Sequence, residues 1–97
     1  MNNAASSQFL NIYGNVAFNK RKEFEQTVRF IFNQLPPECI QKFVAADIFR
    51  EDHYFFISTW VDELSLNKFL KSEEFKIIRG AYVALGRMDK IISGPII

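Results

Sequence analysis

Tyr54-Phe55-Phe56-Ile57-Ser58-Thr59-Trp60 is the stretch that decides the fold. It is short, rich in aromatic and β-branched side chains, and reads as a strand. One parity carries Tyr54, Phe56 and Trp60, and the other carries Phe55 and Ile57. A strand that is apolar on both parities needs cover on both faces of its sheet. Just before it, Arg50-Glu51-Asp52-His53 is a polar cluster that suits a tight reversal. Further back, Ile40 to Phe49 alternates Val44, Ala46 and Ile48 against Phe43, Ala45 and Phe49. The centre of the chain is therefore a β-hairpin.

Working outward, Lys20 to Leu35 changes period. At 100° per residue from Phe24, the side chains of Val28, Ile31 and Leu35 fall within about 40° of it, which predicts an amphipathic helix. Pro36-Pro37 bars its continuation. Before it, Phe9 to Phe18 sets Leu10, Ile12, Val16 and Phe18 against Phe9, Asn11, Tyr13 and Asn15, a first strand. After the hairpin, Asp62 suits an N-cap for a helix carrying Leu66, Phe69 and Leu70. Ser72-Glu73-Glu74 restarts that helix, with a capping hydroxyl and two carboxylates where the helix dipole favours them. Phe75, Ile78, Tyr82 and Leu85 continue its buried stripe, Gly86 suits a C-cap, and Met88 to Ile92 makes a last strand. The order β-α-β-β-α-β predicts an α+β, ferredoxin-like antiparallel sheet with two helices on one face. Residues 1–8, small and polar, read as a flexible tail, and residues 9–97 as a single domain.

Composition removes several functions. Twelve Lys and Arg against eleven Asp and Glu leave a net charge of +1, too little to draw in a nucleic acid or an anionic membrane. The segment 12–16 and the segment 53–58 resemble the two strand motifs of RNA-recognition domains, but the second lacks the basic residue and both glycines those motifs carry. One cysteine, Cys39, allows no intrachain disulfide and no CxxC site, and one histidine, His53, allows no His cluster for a metal. No phosphate-cradling glycine loop and no GxSxG elbow is present. Asp62/Glu63 and Glu73/Glu74 sit at helix starts, where dipole compensation explains them. The first residues lack the basic and apolar regions of a signal peptide, and no apolar run reaches the ~18 residues of a membrane span, so the expected location is the cytoplasm.

Phe56-Ile57-Ser58-Thr59-Trp60-Val61-Asp62-Glu63-Leu64, followed by Phe69-Leu70-Lys71-Ser72-Glu73-Glu74-Phe75, resembles the antibiotic biosynthesis monooxygenase (ABM) domain family. There a strand ending in Trp leads into an acidic helix start and an [FH]L-x-S-x-x-F run. The resemblance extends over element order and spacing from about Phe9 to Ile92. It implies a dimeric α+β barrel, two sheets face to face, which would also cover both parities of the third strand. It implies a pocket between sheet and helices and, among the activities of the family, cofactor-independent oxidation of a quinol or polyphenol by dioxygen. Under that resemblance Trp60, Tyr13 and Phe56 shape an aromatic slot, with Phe75 and Tyr82 beside it. Asn11 or Ser58 orients the substrate oxygen, and Arg79 supplies a fixed cation. Arg79 stands where haem-degrading members carry a histidine, so no haem or other cofactor is expected. The alternative is a homodimer of the same fold that binds a small molecule, or acts as a scaffold, without chemistry.

Overall fold

The computed structural model describes residues 6–97. The central hairpin forms as β2 (Cys39–Ala46) and β3 (His53–Trp60). Around it stand β1 (Gln8–Val16), α1 (Arg21–Phe32), α2 (Glu63–Leu70), α3 (Glu73–Leu85) and β4 (Gly86–Pro95). All strand pairs are antiparallel, in the order β2-β3-β1-β4, so the sheet is open, with β2 and β4 as its edges. This is the α+β, ferredoxin-like arrangement that the sequence predicts.

Strand alternation divides the molecule. Leu10, Ile12 and Val16 of β1 and Tyr54, Phe56, Ser58 and Trp60 of β3 face the helices and are buried. They meet Phe24, Val28 and Ile31 of α1 and Phe75, Ile78 and Tyr82 of α3. Phe24 lies between two tyrosines, edge-on to Tyr54 at 5.3 Å and to Tyr82 at 4.8 Å. Gly14 makes room for this packing: a Cβ there would meet the Tyr82 ring at 2.6 Å. The register of β1 with β4 also shifts at Tyr13/Gly14.

Both expected N-caps are in place. Asp62 accepts from the backbone N–H of Ser65 at 2.8 Å, and Ser72 accepts from that of Phe75 at 3.2 Å. Several boundaries differ from the sequence reading. β2 ends at Ala46 instead of Phe49, because Asp47 turns the chain: its carboxylate accepts from Phe49 N–H at 2.7 Å and Arg50 N–H at 3.1 Å. Ile48 and Phe49 consequently stand out at the hairpin tip. Phe18, expected in the core parity of β1, lies past the strand in a short 3-10 turn and is exposed. α1 stops at Phe32, ahead of the two prolines. Gly86 does not cap α3 in a left-handed turn; it is extended and opens β4, where any side chain would run into Asn15 of β1. Gln8, placed in the tail by composition, is the first paired residue of β1, opposite Trp60 and Pro95. The rest of the tail up to Ala5 lies outside the described residues.

Candidate functional site

The strongest candidate lies where β3 runs into α2. The order Trp60, then Asp62 as cap, then α2, turns the chain back over its own strand end. Phe69 is thereby laid on Trp60, nearly parallel and 4.6 Å between ring centres, and Phe75 from the first turn of α3 meets Phe69 edge-on at 5.4 Å. Above these rings opens a cleft of about 610 Å³, walled by Pro36 and Glu38 on one side and by Leu64, Ser65, Lys68 and Glu74 on the other. That volume suits a small ligand of drug-like size. Trp60 closes the bottom without exposing surface of its own, and Phe69, itself almost fully buried, lies on it beneath the cleft.

The indole is fixed from below. Its Nε1–H donates to the Ser58 hydroxyl at 2.9 Å, and that hydroxyl donates to the Leu10 carbonyl at 3.1 Å. Ser58 is therefore fully occupied as a support for Trp60. The Asp62 carboxyl at the rim is held below the usual carboxylate range by its hydrogen bond from Ser65 N–H. A second cleft of about 590 Å³ lies across α2, against Gln8, Ser93 and Pro95. It has no aromatic ring in its wall and is the poorer candidate for a flat ligand.

The residues expected to form one slot are divided by the sheet. Trp60, Phe56, Ser58, Phe75 and Tyr82 lie on the helix side. Tyr13 and Asn11 lie on the opposite face, because Ile12, not Tyr13, is level with Phe56 in the β1–β3 register and neighbours in a strand point to opposite faces. No slot walled by Trp60, Tyr13 and Phe56 together forms within one subunit. Phe56 packs on Phe32 at 5.8 Å, inside the core. Tyr82 donates from its hydroxyl to the Tyr54 carbonyl at 3.1 Å, and burial pushes its phenol well above the ordinary range. Arg79 is exposed, with its guanidinium 5.5 Å from the centre of the Phe75 ring. It stands one ring removed from the cleft floor.

Sequence reasoning missed Phe69 and Lys68 as site residues. Phe69 was assigned to the helix core, and its partner Trp60 is nine residues away, a separation at which only the α2 turn brings the rings together. Lys68 is the one basic side chain on the cleft wall. Among the described residues no three His, Cys, Asp or Glu side chains gather into a metal site, and no helix is long and apolar enough to cross a membrane.

No protein-family model matches the chain, and no curated protein matches it. Solved structures do, with low identity and high coverage. A conserved protein from Methanosarcina mazei superposes with TM-score 0.82 at 18% identity, covering 94% of this chain and 93% of the other. A Bacteroides thetaiotaomicron protein of unknown function, suggested as an oxidoreductase, gives TM-score 0.81 at 21% identity, over 96% and 100%. A candidate antibiotic biosynthesis monooxygenase from Caulobacter crescentus gives 0.83 at 14% identity, over 96% and 92%. The chain shares the fold of structures named for that family.

Proposed function

We propose that this chain is a homodimer that binds a flat aromatic molecule in the cleft over Phe69 and Trp60 and oxidises it, as a quinol or polyphenol, with dioxygen and without a cofactor. The observation that carries the reading is the stacked Trp60–Phe69 pair under an open cleft. It falls on the same stretch, Trp60 to Phe75, that resembles the ABM family, and the names of the fold neighbours point the same way. In this reading the substrate supplies all the electrons. A ring CH₂ of its keto tautomer becomes C=O while O₂ gives one atom to that carbonyl and the other to water, so atoms and electrons balance. Phe69 holds the ring plane, with Phe75 packed edge-on behind it, Trp60 backs it, and Ser58 keeps the indole from turning. Lys68 on the wall faces the negative charge that builds as the substrate anion passes an electron to oxygen. Dimerisation accounts for the other face of the sheet, which no helix covers and where Phe43 and Ile92 are exposed and Phe9, Tyr13, Phe55 and Ile57 only half-buried, a large patch for a monomer.

A second reading is binding without chemistry. It is favoured by the cleft's own charge: Glu38, Asp62 and Glu74 against Lys68 alone, a poor setting for an anionic intermediate. One experiment separates the two. The chain has a single Trp, so its fluorescence reports the cleft floor. A quinol series titrated under nitrogen should quench it saturably; air is then admitted and oxygen uptake recorded. Quenching followed by uptake of one O₂ per product supports the oxygenase, and quenching with no uptake leaves the binding protein. No quenching by any member removes both. Sedimentation equilibrium at micromolar concentration tests the dimer, and a monomer there removes that part of the reading.

A further inference from the structure

The open face carries a row of polar groups that its own chain leaves half satisfied. Four strands place their outward residues in levels. Phe43, Ile57, Asn11 and Ile92 share one level, and Ala45, Phe55, Tyr13 and Lys90 share the next. Asn11 donates from Nδ2 to the Tyr13 hydroxyl oxygen at 3.3 Å. That bond leaves two things unused. The Asn11 carbonyl oxygen Oδ1 is buried with no partner, and the Tyr13 hydroxyl donates to no acceptor among the described residues. Reversing the amide only moves the orphan from Oδ1 to Nδ2. A buried polar atom left unpaired costs free energy, so whatever covers this face must supply its partner.

Resting on the homodimer reading above, we infer that the second copy packs with its twofold axis across the strands, so that Asn11 and Tyr13 of the two subunits close one four-membered hydrogen-bond ring. Aligned packing of two sheets leaves two axis directions, along the strands or across them. An axis along the strands, between β1 and β3, lays Asn11 on Ile57 of the partner subunit and leaves the amide stranded. An axis across them, between the two levels, lays β1 on β1 and β3 on β3. Asn11 then meets the partner's Tyr13, Ile57 meets the partner's Phe55, and Phe43 meets the partner's Ala45, a large ring against a methyl. Each Tyr13 hydroxyl accepts from its own Asn11 and donates to Oδ1 of the partner's Asn11. The terminal torsion of Asn is soft, so the amide can turn up to meet that donor. The ring uses every orphan at this level; Asn15 Oδ1, buried and unpaired one level further out, stays outside it.

The two axes differ most at the hairpin tip. Phe49 lies five residues past Val44, which is level with Phe56 and so with the crosswise axis. At ~3.3 Å per residue the two tips stand on the order of 30 Å apart for the crosswise axis, at opposite ends, and under about 20 Å apart for the lengthwise one. A nitroxide on Phe49→Cys in a Cys39→Ser background, read by pulsed electron resonance, should give the long distance. The short distance overturns the inference while leaving the dimer standing, whereas a monomer in sedimentation removes the dimer reading first and the ring with it. Independently, Tyr13→Phe should weaken association at least tenfold with an unchanged circular dichroism spectrum. Adding Asn11→Leu, which removes the stranded amides, should restore most of it. Tyr13→Phe with unaltered association overturns the ring.

Discussion

Phe55 and Phe56 follow one another on β3 and differ only in the side of the sheet to which the strand points them. Phe56 has no exposed surface and packs against Phe32 of α1's last turn, whereas Phe55 lies edge-on to Tyr13 on the face that no helix covers. The helix face is closed by its own chain: rings interlock, and its buried hydroxyls, Ser58, Tyr54 and Tyr82, all have partners. The open face is apolar too, yet both of the described buried side-chain oxygens without a partner, on Asn11 and Asn15, lie there. One alternating pattern thus builds two surfaces. One is complete within the chain, and the other keeps two buried oxygens without a partner.

Neighbouring substitutions separate the two faces. Phe56→Ala removes a ring from a closed core and should cost ~3–5 kcal/mol of folding stability, the same at every protein concentration. Phe55→Ala should cost much less in dilute solution, and under the proposed dimerisation its effect should grow with concentration. Thermal melts at two concentrations an order of magnitude apart check both. Equal, concentration-independent losses would mean that the open face is covered within the chain after all.

Next in size is a charge on the open face. In the proposed dimer Ile57→Glu puts a carboxylate opposite the partner's aromatic ring and should weaken association at least a hundredfold, about 2.8 kcal/mol, while the fold persists. Sedimentation with circular dichroism reads both. A variant that unfolds instead would place Ile57 in the subunit core.

This contrast also marks what was legible in the sequence. The parity sets on β1 and β3, the helix stripe from Phe24 to Ile31, and both N-caps could be read directly, since each depends on neighbours a few residues away. The register between strands could not. Tyr13 and Phe56 are both aromatic and both mid-strand, but Ile12 pairs with Phe56, so they point apart. Nothing within either strand encodes that pairing. The end of β2 was hidden for a similar reason. Ile48 and Phe49 continue the apolar alternation, yet the Asp47 carboxylate captures two backbone N–H groups and ends the strand. The cleft was half legible: Trp60 stood out as a strand-end aromatic, while Phe69 over it follows from the angle at which α2 returns.

A smaller effect tests the floor of the cleft. Ser58→Ala leaves the Trp60 N–H buried without an acceptor and should cost ~1–3 kcal/mol. It should also shift the Trp60 emission, because the indole loses its hydrogen bond to the Ser58 hydroxyl. Unchanged emission would mean that the indole is held by Phe69 alone. At the rim, the Asp62 carboxyl is depressed in the folded state, so its cap is fully present above the ordinary Asp value near ~4 and is lost as pH falls through the lower folded value. Asp62→Asn should flatten that acid limb of the stability profile without moving the neutral plateau much.

The smallest effect belongs to Arg79. Its side chain is exposed, and its guanidinium rests on the outer side of Phe75 at 5.5 Å from the ring centre. An exposed contact of this kind contributes at most ~0.5–1 kcal/mol, and Met keeps most of the stem that covers the ring. Arg79→Met should therefore change the melting temperature little. Its effect on turnover decides between two cations. Lys68 is on the wall of the cleft and Arg79 is one ring away from its floor. If charge stabilisation comes from the wall, Lys68→Met should lower quinol oxidation by ~10²–10³ and Arg79→Met by less than tenfold, since the loss of one preorganised charge is felt where it touches the reacting atoms. The reverse order would mean that the Arg79 side chain swings over Phe75 into the cleft when substrate binds. In that case the Phe75–Arg79 contact is the resting position of a mobile catalytic group, and a salt-dependent KM should accompany it, because the guanidinium would leave solvent on every turnover.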